Sequence, residues 1–482
     1  VPFITNTMKV YKLANNITGW LVFAIALTVY LLTIEPSASF WDCGEFIVSA
    51  DKLEVGHPPG APFFMLMGNL FSQFASDASH VALMVNVMSA VFSALTILFL
   101  FWTITHLARR LIVKNEAKTA TVSLSQKIAI LGTGAVGALL FTFSDTFWFS
   151  AVEGEVYAFS SFMTALVFWL ILKWEDVADE PHSSRWIILI TYVMGLSIGV
   201  HLLNLLCIPA IVLVYYFRKY SNPNLKGAII ALLISFVMIV AILYGLIQGI
   251  MDVSGWFELF FVNVLKMPYN SGVLAYVVVV FGVLGWAIWE SMRNHPNMTR
   301  VKISFILALT LLGLPFLGDK VWVGILIIAC ITVFFFIYKH FKPEVLNLML
   351  LCMLVLSIGY SSYALIMVRS AANTPMDQGS PEDVFTLRDY LAREQYGNTP
   401  LLYGRTFAAN NVAAEHKQGR PVYTRVIKQD PSEKDHYVIT DHKVSFSYPD
   451  RYNMFFTRKR RLRGRAWPPG RPIGPRQATE SR

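Results

Sequence analysis

The sequence predicts an all-α polytopic membrane protein with about eleven transmembrane helices and a small external C-terminal α/β segment. Of the 482 residues, 55% are hydrophobic and 14% aromatic, whereas soluble domains use roughly 45–50% apolar residues. The mean hydropathy is +0.51. Apolar runs recur up to about residue 366, and the composition then becomes charged. We therefore expect a membrane domain over residues 8–369, an external segment over 370–456 and a basic tail over 457–482.

The predicted spans are runs that approach the ~20 apolar residues needed to cross the hydrocarbon core. The first run follows Met8, Lys9 and Lys12. It lacks a small-residue cleavage site, which favours an uncleaved helix over a signal peptide. The expected spans are residues 17–34, 81–107, 127–144, 157–173, 186–201, 203–217, 227–250, 273–290, 302–317, 321–339 and 345–366.

Basic residues are concentrated in alternate turns between these spans. Because cytoplasmic loops carry the excess of Lys and Arg, the pattern predicts a cytoplasmic N-terminus. An odd number of spans then puts the C-terminal segment on the external, periplasmic side. The same bias accounts for the net charge of +9, so we expect no nucleic-acid partner. Basic residues on the predicted inner side include Arg109, Arg110, Lys114, Lys118, Arg218, Lys219, Arg293, Arg300 and Lys342.

Residues 186–217 are expected to form a hairpin of two short spans. Arg185 and Arg218 flank the stretch, and a hairpin places both on the inner side, whereas one long helix would not. His201 then lies at the outer tip of the hairpin, followed closely by Asn204.

The first predicted outer loop, residues 37–63, is the leading candidate site. Asp42 and Glu45 are three residues apart, which places both carboxylates on one face of a helical turn. His57 precedes two prolines, whose fixed φ angles stiffen the backbone. An ordinary solvated loop is the alternative. Loops of this length are usually functional or disordered, and this composition is not typical of disorder.

A second acidic cluster, within residues 144–157, contains Glu153 and Glu155. Carboxylates this near the hydrocarbon are costly unless they pair or line a watery cavity. Two interpretations are equally supported: functional acids, or incidental acids in an aromatic belt at the membrane interface.

Three further segments lie outside the predicted spans. The aromatic stretch at residues 252–269 predicts a short amphipathic helix lying in the interface. A helix is predicted over residues 381–394, with Glu382 and Asp383 at its N-terminus, where the helix dipole favours acids. From residue 457 the chain is dominated by Arg, Pro and Gly, a composition that cannot build a core.

The sequence predicts no cofactor. The four cysteines have no metal-ligand spacing, and the acidic neighbours of Cys43 disfavour a nucleophilic thiolate. The carboxylates and histidines would suit a hard divalent cation, but no spacing requires one.

Three runs resemble a bacterial membrane family, the protein O-mannosyltransferase-like glycosyltransferases. The runs are IEPSASFWDCGEFIVSADKLEVGHPPGAPFF, WFSAVEGEVYAFSSF and GLSIGVHLLNLLCIPA, and the resemblance covers roughly residues 8–456. It implies a GT-C-like bundle, a catalytic acid in the first external loop and a polyprenyl-phosphate-linked sugar as donor. Members of this family usually continue into a longer external part, and the difference leaves acceptor recognition open.

The resemblance also implies site residues. Asp42 falls at the position of the first-loop acid, and Glu45 completes the WDxGE pattern. The remaining motif positions are His57 in the GHPPG run, Glu153 and Glu155 in the EGE run, and His201 and Asn204 at the hairpin tip.

The predicted reaction is inverting transfer of a hexose, such as mannose, to Ser/Thr hydroxyls of exported proteins at the cell inner membrane. An acceptor hydroxyl must lose its proton as it attacks the anomeric carbon, and a fixed carboxylate can take that proton. We assign this role to Asp42. The departing lipid phosphate needs cationic or N–H donors, and the outer-face candidates are His57, His201, Lys266 and Arg369.

Two alternatives come from other functional classes. A transporter or lipid flippase usually has its site near the bilayer midplane in broken helices, often with internal repeats. Here the predicted polar clusters lie at the outer rim. A non-catalytic membrane component of a secretion complex would use the external segment as its contact and would not need Asp42.

Overall fold

The computed structural model describes residues 2–113, 122–318, 320–338, 340–397, 403–405, 415–426, 430, 433–448 and 453–455. The chain divides into two compact units. The larger comprises Val1–Gln395 with Tyr423–Val438, and the smaller comprises Tyr396–Val422 with Ile439–Arg482. The domain boundary expected near residue 370 stays a prediction. The predicted basic tail, 457–482, lies outside the described residues.

Helices make up most of the described chain. They are α1 (Pro2–Leu32), α2 (Cys43–Lys52), α3 (Pro62–Ser72), α4 (Val81–Ile112), α5 (Leu124–Thr142), α6 (Asp145–Ala151), α7 (Val156–Val177), α8 (Ser184–Ile198), α9 (Ile208–Lys219), α10 (Leu225–Val240), α11 (Ile247–Leu259), α12 (Ser271–Ser291), α13 (Met298–Leu311), α14 (Val321–Ile337), α15 (Pro343–Tyr360), α16 (Ala364–Ala371) and α17 (Val384–Leu391).

Eight helical segments are long and apolar enough to cross a membrane. Three other expected spans, 186–201, 302–317 and 321–339, correspond to the shorter helices α8, α13 and α14. The predicted helical membrane architecture is therefore confirmed. The eight segments are Lys9–Leu32, Ala78–Ile112, Leu124–Thr142, Val156–Val177, Leu202–Lys219, Leu225–Val264, Ser271–Ser291 and Pro343–Ala371.

The predicted hairpin is present between α8 and α9. His201 has an extended backbone, with φ −163° and ψ 144°, and its ring Nδ1 accepts a hydrogen bond from the backbone N–H of Leu203. A 3₁₀ turn, Leu202–Cys207, then leads into α9. The helix is therefore interrupted at the predicted tip.

The separate interface helix expected at residues 252–269 is not found. The segment instead continues the preceding span, because one helical stretch runs over Leu225–Val264 through two π-helical turns. The glycines in this stretch do not break it, since they serve packing. A Cβ on Gly249 would lie 2.4 Å from the carbonyl oxygen of Gly313, so a glycine allows the two backbones to touch.

Close backbone packing also joins α15 to α8. A Cβ added to Gly359 would lie 2.5 Å from the carbonyl carbon of Gly195, so neither glycine can carry a side chain without separating the helices. At the start of α3, the N–H of Phe63 donates to the carbonyl oxygen of Gly199 at 2.8 Å. This bond links the first loop to the hairpin tip.

The predicted helix in the external segment is confirmed as α17. The Asp383 side chain accepts from the N–H groups of Phe385 and Thr386, both at 2.9 Å, and forms a capping box with Thr386. Such a cap satisfies N–H groups that a helix start leaves unpaired. The described strands are β1 (Tyr403–Arg405), β2 (Glu415–Arg425), β3 (Tyr437–Ser447) and β4 (Asn453–Phe455); β1 pairs antiparallel with β4, and β2 pairs with β3.

Candidate functional site

The start of the first loop is tied to two neighbouring elements. The fully buried Asn86 of α4 donates through Nδ2 to the carbonyl oxygens of Glu35, at 2.6 Å, and Ser37, at 2.9 Å. The hydroxyl of Ser39 donates to the carboxylate of Glu153. The two predicted acidic regions are therefore in direct contact, through a loop that is fixed at its base.

Asp42 occupies the N-cap position of α2, and its side chain is exposed. Aspartate is among the best capping residues because its carboxylate can accept from the first N–H groups of a helix. Within the part of the chain that the structure describes, the Asp42 carboxylate makes no such cap bond. This carboxylate is therefore available to a substrate.

Glu45 holds His57 by two hydrogen bonds. The Oε1 atom of Glu45 accepts from the backbone N–H of His57 at 2.5 Å and lies 2.8 Å from its ring Nδ1. A Cβ at Gly56 would come within 2.6 Å of the same oxygen. A glycine at this position is thus required for the carboxylate to reach the histidine.

This pairing shifts the pKa of both groups. The hydrogen bond to Glu45 raises the pKa of His57 above its usual value, against the opposing effect of burial. Burial alone would raise the pKa of Glu45, but the hydrogen bonds from His57 and one from Gln378 lower it overall. The pair therefore favours a cationic imidazole beside a carboxylate.

Asp42, Glu45 and His57 each offer a ligand atom, and these atoms lie within 4.8 Å of one another. Two carboxylates and an imidazole are ligand types that a divalent cation accepts. However, Oε1 of Glu45 already accepts two hydrogen bonds from His57. That arrangement suits a carboxylate that orients an imidazole, and it does not require a metal.

Glu153 and Glu155 are buried at the turn before α7. Burial raises the pKa of Glu153. Burial, together with the charges of Glu153 and Asp42, raises the pKa of Glu155 to about 7. A large fraction of Glu155 is therefore protonated at neutral pH, and in that form its carboxyl can donate a hydrogen bond.

His201 belongs to the same cluster. Its ring contacts that of Tyr157, two residues after Glu155, with 5.7 Å between the centroids. Burial lowers the pKa of His201, and the charge of Arg393 lowers it further. Asn204 is fully buried and donates to the hydroxyl of Ser197 at 2.8 Å, so it braces the hairpin.

The sequence analysis missed three residues that follow the membrane domain. Gln378 hydrogen-bonds to Glu45. The hydroxyl of Tyr390 donates to the carbonyl oxygen of Gly56 at 2.7 Å. Arg393 lies near enough for its charge to lower the pKa of both His57 and His201. More than 300 positions separate these residues from the first loop, and no local sequence pattern records such a contact.

Two predicted cations have other surroundings. Arg369 donates to the carbonyl oxygens of Leu53, at 2.7 Å, and Lys52, at 3.1 Å. These bonds satisfy the C-terminal end of α2 and give Arg369 a structural role. Lys266 is exposed just after Val264, where its helical stretch ends.

Comparison with known proteins supports the resemblance. Residues 42–224 match the family model described as the protein O-mannosyl-transferase TMEM260 N-terminal domain. Residues 397–461 match a second family model, described as a family of unknown function. No solved structure matches the chain. The first match contains all the predicted site residues except Lys266 and Arg369.

Two curated relatives share this region. The chain is 29% identical to protein O-mannosyl-transferase tmem260 of Dictyostelium discoideum over 163 residues, which are 34% of this chain and 18% of that protein. It is 30% identical to protein O-mannosyl-transferase TMEM260 of Mus musculus over 177 residues, 37% of this chain and 22% of that protein. The match thus spans about a fifth of the length of these relatives. The predicted resemblance to protein O-mannosyltransferase-like proteins is confirmed over this region.

Proposed function

From the match of residues 42–224 to a protein O-mannosyl-transferase domain, we propose that the chain is a membrane glycosyltransferase of GT-C type. It transfers a hexose, such as mannose, from a polyprenyl-phosphate donor to Ser/Thr hydroxyls of exported proteins. Its membrane is the cell inner membrane, with the N-terminus cytoplasmic and the site on the periplasmic side. The proposal extends to the whole chain what the relatives' names say of them.

The observation that carries the proposal is the exposed carboxylate of Asp42 beside the His57–Glu45 pair. A carboxylate at an N-cap position that does not cap its helix is free to accept a proton from a hydroxyl. Asp42 is therefore the general base. Glu45 is a positioning residue, because its contacts are to His57.

The proposed reaction is a single displacement. The acceptor oxygen attacks the anomeric carbon and forms the new C–O bond while its proton passes to Asp42. The bond from the anomeric carbon to the phosphate oxygen breaks, and polyprenyl phosphate leaves with the electron pair. Because attack and departure occur on opposite faces, the anomeric configuration inverts.

The leaving phosphate is stabilised by cations on the other side of the cluster. His57 carries a positive charge through its pairing with Glu45, and its Nε2 atom can donate to a phosphate oxygen when Nδ1 donates to Glu45. Arg393 adds a guanidinium next to both histidines, and guanidinium binds phosphate in a bidentate manner. His201 supplies a further nitrogen at the same place.

The sugar hydroxyls fall to Glu153 and Glu155. Carboxyl groups bond to hydroxyls as acceptors when ionised and as donors when protonated, and the raised pKa of Glu155, about 7, gives it both forms. No step of this mechanism requires a metal ion. The position of the cluster, before α2, α3 and α7 and after α8, is unlike the midplane site of a typical transporter.

The test is a transfer assay with purified protein, a panel of polyprenyl-phosphate hexoses and a Ser/Thr peptide. Transfer to the peptide hydroxyl with inverted configuration is expected for one of these donors. Movement of the lipid donor across vesicles without any transfer would instead identify a flippase.

A further inference from the structure

We propose that Phe40 and Trp41 form a docking surface for the acceptor polypeptide. The surface binds an apolar or proline-containing stretch of extended chain next to the acceptor hydroxyl. This inference rests on the proposed function, because it assigns a substrate to the surface beside Asp42. The family match begins at residue 42, so these two residues precede it.

Both side chains are almost fully in water. Phe40 is 86% exposed and Trp41 is 90% exposed. Two consecutive aromatic side chains have a large apolar area that favours burial against another surface. Such a surface on an otherwise polar loop is typical of a binding site.

The exposure is not a consequence of a loose loop. Asn86 holds the carbonyl oxygens of Glu35 and Ser37, and Ser39 is bonded to Glu153. On the other side, α2 begins at Cys43. The aromatic pair is therefore presented from a short segment that is fixed at both ends.

The backbone at Trp41 is strained. Its φ angle is +66°, in the left-handed region that bulky residues rarely adopt. Strain of this kind persists where the surrounding structure enforces it, and it is concentrated at ligand-binding sites. Here it sets the direction of the chain immediately before Asp42.

The position of the base selects the occupant. In an inverting displacement, the acceptor and the leaving phosphate lie on opposite sides of the anomeric carbon. Asp42 must contact the acceptor hydroxyl, and Trp41 is one Cα step of about 3.8 Å from Asp42. The phosphate is assigned to His57 and Arg393. The aromatic pair therefore belongs to the acceptor side, and adjacent aromatic faces suit extended or proline-containing peptides.

The test compares two acceptors with the double variant Phe40→Ala/Trp41→Ala. One acceptor is a threonine peptide of about ten residues with apolar and proline flanks, which spans about 33 Å when extended. The other is N-acetylthreonine amide, which has no flanks. We expect the KM for the peptide to rise by about tenfold or more, as for the loss of interface anchors. The KM for the donor and the rate with the small acceptor stay within about twofold.

Two further variants serve as controls. Trp41→Phe keeps an aromatic face and retains most of the peptide affinity. Phe74→Ala removes another aromatic side chain, 72% exposed, which lies after α3, and it leaves both KM values unchanged. Because all three positions are exposed, these variants are expected to fold like the parent.

Other outcomes would overturn the inference. A raised KM for the donor with an unchanged KM for the peptide would assign the pair to the lipid tail. An equal loss with both acceptors in vesicles but not in detergent would assign it to the membrane interface. An unchanged peptide KM in the active double variant overturns this inference alone. Absence of transfer by the parent protein to either acceptor overturns the proposed function as well.

Discussion

The hydroxyl of Tyr390 donates to the carbonyl oxygen of Gly56 at 2.7 Å across 334 positions of sequence. It lies 3.3 Å from the carbonyl oxygen of His57 as well. A segment that follows the last membrane helix thus holds the residue whose ring Glu45 orients. The candidate site is completed only when this external segment packs on the first loop.

Tyr390→Phe tests this contact. The variant removes a buried hydroxyl and leaves two carbonyl groups without that donor, which typically costs about 1–3 kcal/mol. We expect a lower temperature of unfolding, measured in detergent, and slower transfer with a raised KM for the donor. Tyr403→Phe, on the exposed strand β1, is the matched control and should leave both values unchanged. Parent-like transfer by Tyr390→Phe would separate the external segment from the chemistry.

Gly56→Ala should disrupt the His57–Glu45 pair. The added methyl group would lie 2.6 Å from Oε1 of Glu45, and overpacking of this kind costs about 1–3 kcal/mol. We expect transfer to fall at least about tenfold, because His57 loses its orientation. Gly132→Ala is the control, since among the described residues no atom lies within 4 Å of its added Cβ. Equal activity of the two variants would show that the pair is dispensable.

Arg393→Ala should weaken donor binding. Hydrogen bonds to charged groups contribute about 1.5–3 kcal/mol, and each 1.4 kcal/mol is a tenfold change. The KM for the donor is therefore expected to rise by about ten- to a hundredfold, with a smaller effect on the KM for the acceptor. Arg393→Lys should recover part of the loss. Lys266→Ala, which removes an exposed cation, is the control. A change confined to the acceptor KM would remove Arg393 from the phosphate site.

Donor affinity should fall as the pH rises through the raised pKa of His57. Below that pKa the imidazole is cationic and paired with Glu45, and above it the charge that binds phosphate is lost. The matching stabilisation of the fold follows the same direction, since a raised pKa contributes stability at low pH that disappears at high pH. The check is the KM for the donor between about pH 6 and 9, a range starting near the ordinary His pKa of about 6.5. His57→Gln should show a weaker affinity without this decline. An identical decline in His57→Gln would assign it to another group.

The sequence predicted the helices well and the site in part. Long apolar runs and the bias of basic residues determine where helices lie, and His201 was correctly located at an interruption between α8 and α9. The proximity of Asp42, Glu45 and His57 follows from short sequence distances and a tight loop. Arg393 and Tyr390 could not be found in this way, because tertiary packing alone brings a distant segment to the first loop. The expected interface helix at 252–269 was wrong since no residue there breaks the helix that begins at Leu225.

The central claim is that Asp42 is the general base, and the direct measurement is the transfer rate of Asp42→Asn with donor binding measured in parallel. Asparagine keeps the size of the side chain but cannot take a proton, so transfer is expected to fall by about 10²–10⁴-fold while folding and donor binding are retained. Glu45→Gln should be milder, because Glu45 acts through His57. If Asp42→Asn transferred sugar within about threefold of the parent rate, far less than the loss of a base costs, the assignment of Asp42 would be contradicted.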